Sequence, residues 1–114
     1  MKISQNRTAL VSVLQTLRDV RWASILTVLV TAAFTVVALA AALRALPDTI
    51  AEIDDYRVGP DLRIADGNWD FAVSGDFASP EAFRTYRSHP DHVAVIREHI
   101  EPIVAERLAV QFGT

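Results

Sequence analysis

The sequence predicts an α+β domain with the split order β-α-β-β-α-β, and three observations carry that prediction. An uncharged apolar run, long enough for two elements, precedes Arg44. The residues after it read, in order, as β, β, α, β. A three-stranded sheet with one helix would leave an apolar face bare, and one strand plus one helix taken from the upstream run complete a ferredoxin-like arrangement. With 114 residues, 51% of them apolar and 22% charged, the chain has room for one compact domain and little more. The expected division is a helical extension over residues 1–19 and the α+β domain over 20–114.

Taken from the N-terminus, Leu10, Val13, Leu14 and Leu17 stand at helical spacing and predict a short amphipathic helix. The run from Trp22 to Leu43 holds 22 residues without a charge. Its first part, Ser24 to Val30, is dominated by Ile, Leu and Val and suits a buried strand. Thr31 then caps a predicted helix over 32–46, with Pro47 as its stop. The alternative is a single transmembrane helix over 22–43, since such a helix reaches about 33 Å against a hydrocarbon core of about 30 Å. In that case the preceding basic residues and the following acids place the N-terminus inside.

Downstream, Ile53 to Val58 predicts a short strand ended by Gly59-Pro60. Trp69, Phe71, Val73 and Phe77 alternate with polar or small residues, predicting a strand with one apolar face, and Gly75 in its middle marks a bulge or a close approach of backbone. Ser79-Pro80-Glu81 is a helix start: a hydroxyl cap, a proline whose missing donor costs nothing there, and a carboxylate at the positive end of the dipole. Pro90 forces a kink or break at Ser88-His89. Val93, Ile96, Ile100 and Ile103 form a buried stripe, and Leu108, Val110 and Phe112 alternate with Arg107, Ala109 and Gln111 as a last strand. The apolar faces of the last two predicted strands, Trp69 to Phe77 and Leu108 to Phe112, call for a second copy to cover them.

Several function classes are disfavoured. There is no cysteine, which excludes a disulfide scaffold and thiolate chemistry. The net charge of -3 argues against a nucleic-acid partner. Residues 1–44 hold five basic residues and one acid, whereas 45–114 hold six basic and thirteen acidic. No glycine-rich phosphate loop or nucleophile elbow is present. Asp61, Asp66, Asp70 and Asp76 lack the spacing of a calcium loop, and His99 stands about 10 Å along a helix from His92, too far to share an ion. No metal or cofactor is expected.

ALRALPDTI at 42–50, YRVGPDL at 56–62, DGNWDFAV at 66–73 and AFRTYRSHPDHVAVIREHIEPIVAER at 82–107 resemble the stress-responsive dimeric A/B-barrel family, whose most specific signature is the spacing of Tyr86, His89, Pro90 and His92. The resemblance implies a four-stranded antiparallel sheet that pairs with a second subunit's sheet in a barrel, a homodimer in the cytoplasm, and a cavity for a small apolar or aromatic molecule between sheet and helices. Candidate contacts are Trp69, Phe71, Phe83 and His89. One plant member is a polyketide cyclase whose tyrosine and histidine match Tyr86 and His92, the candidate catalytic pair here. A neutral imidazole suits removal of a proton between two carbonyls, and a phenol suits the oxyanion that forms. Here, however, Phe71 stands where the cyclase has a further histidine, and Trp22 near a first-strand histidine common in the family. The structural alternatives are that Tyr86 is a core aromatic, that His92 packs the kink, and that His89 closes the turn.

Overall fold

A computed structural model describes residues 8–16 and 25–114, with side chains from residue 34 onward. The strands are β1 (Thr8–Thr16), β2 (Ile53–Pro60), β3 (Phe71–Phe77) and β4 (Val104–Gly113), and they lie in one antiparallel sheet of order β2-β3-β1-β4. Helix α1 (Ile25–Thr49) follows the first strand; α2 (Pro80–Ser88), α3 (Pro90–Val95) and a π-helical turn (Ile96–Ile100) follow the third. The fold is ferredoxin-like α+β.

The first half of the chain departs from the sequence expectation. Residues 8–16, expected within a helical extension, form the strand between β3 and β4, pairing with both. The segment expected as a strand, Ser24 to Val30, belongs instead to α1 from Ile25 on, and the helix runs through Thr31 without a break. Both segments are short apolar stretches whose periodicity fits either state. The β-branched Thr8, Val11, Val13 and Thr16 favour a strand, and two ladders of backbone hydrogen bonds settle the matter. Trp22 lies outside the described residues.

Helix α1 continues past Pro47 to Thr49, because a proline in the last turn removes only one helical bond, and the Ile50 amide still reaches the Leu46 carbonyl at 2.9 Å. Leu39, Leu43, Leu46 and Ile50 recur at 4, 3, 4 spacing, and all four are buried against the sheet. This packing does not support the reading of 22–43 as a membrane span. A span needs about 20 residues in lipid, whereas Leu39, Ala40 and Leu43 sit in the protein core. Among the described residues, no helix is long and apolar enough to cross a membrane.

In β3, Phe71, Val73 and Phe77 point into this core, so they do not form the exposed face expected of them, and Trp69 precedes the strand. On β4 the apolar side chains lie outward: Leu108, Val110 and Phe112 are 58%, 55% and 48% exposed. The register explains the common faces. Ser12 stands opposite both Val73 and Ala109, and Val11 opposite both Ser74 and Val110. The helix-covered side of the sheet therefore carries Val73 with Ala109, and the open side Ser74 with Val110.

Candidate functional site

The break after α2 assembles the site. On one continuous helix, residues six apart stand about 240° around the axis and about 9 Å along it, too far for contact. Pro90 supplies no N–H and restricts the residue before it to extended geometry, and His89 adopts φ -61, ψ 135. His89 also caps α3, its Nδ1 accepting from the Asp91 amide at 3.1 Å. The chain thereby turns back, and the His92 ring lies on that of Tyr86 with centroids 4.3 Å apart. The start of α2 is as predicted: Ser79 Oγ accepts from the Ala82 amide at 3.1 Å, with Pro80 in the first turn.

His92 Nδ1 is 3.0 Å from the Arg87 carbonyl oxygen. A carbonyl only accepts, so Nδ1 carries the proton in the neutral ring and Nε2 keeps the basic lone pair. Burial lowers the affinity of His92 for a second proton; the Arg87 carbonyl opposes that shift, and Arg107, Arg87 and His89 reinforce it.

Tyr86 is 2% exposed. Its hydroxyl shares a hydrogen bond of 2.8 Å with the Tyr56 hydroxyl, which satisfies both groups. Burial above all, then the neighbouring Tyr56, pushes the Tyr86 phenol well above its usual range against the opposing pull of Arg107. Tyr56 is raised by burial too, with the bond to Tyr86 pulling it back. Both phenols are therefore neutral at physiological pH, able to donate or accept.

Gly75 makes room for this pair. A Cβ there would lie 3.0 Å from Tyr56 Cδ2 and 3.2 Å from Phe77 Cε2, so the ring of Tyr56 rests directly on β3 backbone. This is the close approach, with no register shift at Gly75; the irregularity in β2 falls between Ile53 and Asp55.

Next to these rings lies a cavity of about 190 Å³. Leu43, Val73, Phe83, Ile96 and Ile100 supply its apolar wall. Tyr56, Tyr86 and His92 supply hydroxyl and imidazole groups, and Arg87, Arg107 and Gln111 add charge and an amide. Of the residues proposed from sequence, Phe83, Tyr86 and His92 line the cavity. Phe71 is 1% exposed in the core, Trp69 is half-buried ahead of β3, and His89 is spent on the α3 cap, so none of these three lines it.

The residues that sequence reasoning missed are Tyr56, Arg87, Arg107 and Gln111. Tyr56 pairs with Gly75 across β2 and β3, a signal that needs the register. Arg107 and Gln111 belong to the polar face of an alternating strand, the side ordinarily assigned to solvent. Among the described residues no group of His, Asp or Glu is arranged to hold a metal ion. Asp61 is engaged within its own loop, accepting from the Arg63 amide and the Asn68 side chain at 3.0 and 3.1 Å.

The stress responsive A/B barrel domain matches residues 29–113. A comparison with curated proteins finds no match. Among solved structures, the chain is similar to a dimeric ferredoxin-like protein of unknown function from Thermobifida fusca, with 32% identity, a TM-score of 0.78 and coverage of 100% of this chain and 96% of that one. It is also similar to a dimeric protein of ferredoxin-like fold and unknown function from Bacteroides fragilis, at 20% identity, TM-score 0.76 and coverage of 95% and 96%. A third similarity is to the hydroxynitrile lyase of Passiflora edulis, at 11% identity, TM-score 0.74 and coverage of 97% and 95%, a likeness of fold alone.

Proposed function

The chain belongs to the stress responsive A/B barrel domain family, and from that premise we propose that it is a homodimer that binds a small apolar or aromatic molecule beside Tyr86 and His92. The observation that carries the binding reading is the cavity itself. Its volume of about 190 Å³ exceeds the roughly 150 Å³ of an apolar cavity that takes up benzene, and it is walled by aliphatic and aromatic side chains with a few convergent polar groups, the ordinary make-up of a ligand site.

Ala109 lines the cavity from an exposed position on β4. Filling the space from there tests the reading with little risk to the core. Phenol and indole, titrated against the protein and followed by NMR shifts, are expected to perturb residues around Tyr86 saturably, and Ala109→Phe is expected to abolish that response at unchanged thermal stability. An unperturbed spectrum at millimolar probe would defeat the proposal.

The dimer reading rests on the open sheet face and on the dimeric state of the T. fusca and B. fragilis proteins. Three large apolar side chains in a row on β4 form a surface that a second copy of the same sheet would cover. Light scattering at micromolar concentration is expected to give twice the chain mass, and Val110→Asp to give the monomer with its far-UV spectrum retained. A monomeric wild type contradicts this reading.

One observation favours a catalytic version of the same site. His92 is held neutral with Nε2 basic, and the phenol beside it is a neutral donor, the protonation states required to remove a proton between two carbonyls and to stabilise the resulting oxyanion. Under that version a β-keto thioester is cyclised by aldol addition: the base takes the α-proton, the carbanion attacks a second carbonyl of the chain, and the alkoxide is reprotonated. Turnover unchanged in His92→Ala would eliminate it.

A further inference from the structure

We propose that the ligand of this cavity is a monocarboxylate, an aromatic or comparably sized acid whose ring lies among the apolar side chains and whose carboxylate meets Arg87 and Arg107. This rests on the binding reading above and goes beyond it by assigning the charge of the ligand.

The inference begins with the orientation of β4. From Ala105 on, β4 is exposed along both faces, so which side chains border the cavity is set by alternation alone. Here Leu108, Val110 and Phe112 face away, and Arg107 and Gln111 line the cavity together with Ala109. Arg87 enters the same cavity from α2. Two arginines thus border one small space, and no Asp or Glu lines it among the described residues.

Of the five other described arginines on this acidic chain, three pair with acids, whereas Arg44 donates to the Val58 carbonyl and Arg97 has no acid partner among the described residues. Arg57 pairs with Asp55, Arg63 with Asp70 at 3.6 Å, and Arg84 with Glu81 at 3.1 Å. Among the described residues, neither Arg87 nor Arg107 has a carboxylate partner. The positive potential is felt within the site: Arg107 acts on both Tyr86 and His92, and Arg87 on His92. An anion in the cavity would give these two arginines the carboxylate partner that neither has among the described residues. A planar carboxylate fits the guanidinium fork through two parallel N–H···O bonds, and the Gln111 amide offers a further donor. The volume limits the rest of the ligand to about one ring.

Benzoate and its neutral isostere benzamide, titrated by calorimetry or NMR against the full chain at pH 7 and low salt, test the inference. Benzoate is expected to bind about tenfold or more tightly than benzamide, the scale of a charge-assisted pair, and 0.5 M salt is expected to narrow the ratio. Arg107→Gln and Arg87→Gln are each expected to bring the ratio several-fold closer to one, with thermal melts reporting that the variants fold. The ratio is the decisive quantity, since a merely structural loss weakens both probes together. Equal affinity in the wild type, or a preference that survives both substitutions and high salt, overturns the carboxylate assignment while the cavity reading stands. If neither probe binds at millimolar concentration, the cavity reading itself falls and takes the assignment with it.

Discussion

β3 and β4 flank the same central strand and carry the same two-residue alternation, yet they turn their apolar sides in opposite directions. In β3, Phe71, Val73 and Phe77 pack under the helices at 1%, 3% and 0% exposure. In β4, exposed on both faces, Leu108, Val110 and Phe112 lie on one side and Arg107, Ala109 and Gln111, which line the cavity, on the other. Strand alternation therefore identifies two faces without saying which is the core. The difference also divides the work of the molecule: β3 closes the hydrophobic core, whereas β4 furnishes the polar border of a cavity on one side and an association surface on the other.

The sharpest way to break this comparison is to truncate one aromatic in each strand. Phe77 contacts Phe83 and Tyr86 with ring centroids 5.4 and 4.8 Å away, so Phe77→Ala is expected to cost about 3–5 kcal/mol in urea unfolding. Phe112→Ala is expected to act through association, seen as a melting temperature that depends more steeply on protein concentration. Equal losses independent of concentration would show that both faces are core.

A smaller effect is expected at Gly75, where β3 backbone meets the Tyr56 ring. The ring must move to admit a methyl group 3.0 Å away, and Gly75→Ala is expected to destabilise by about 1–3 kcal/mol while weakening the hydroxyl pair that Tyr56 forms with Tyr86. Wild-type stability in that variant would mean that the ring is free to shift.

The smallest effect concerns protonation beside β4. His92 takes up a proton less readily in the folded protein than at its ordinary value of 6.5. The unfolded chain therefore binds more protons as pH falls through about 6.5, and stability falls with it. The urea midpoint is expected to drop between pH 7.5 and 5.5, and His92→Gln to remove that part of the slope. Because Arg107 and Arg87 contribute to the shift, Arg107→Gln is expected to reduce it in part.

Much of the site was legible because its signals are short in sequence. Ser79-Pro80-Glu81 marks the start of α2, and Pro90 marks the break, with both expectations met by local stereochemistry. The family motif singled out Tyr86 and His92, which the break then brings into ring contact. Tyr56 escaped notice since its role depends on the register that sets it opposite Gly75, some twenty residues on. Trp69 and Phe71 do not line the cavity: alternation shows that a side chain is apolar, and only the packing around it decides whether it reaches the cavity or the core.

The amino-acid sequence alone determined the α+β class, the elements from residue 53 onward and the turn chemistry that joins them, because each follows from caps, prolines and alternation within about ten residues. Only the tertiary structure decided the first half of the chain. Residues 8–16 and 25–30 are both apolar enough for either conformation, and choosing between them requires the hydrogen-bonding edges that β3 and β4 offer to β1. The same holds for β4, whose faces are distinguished by what packs on each of them and not by the strand itself.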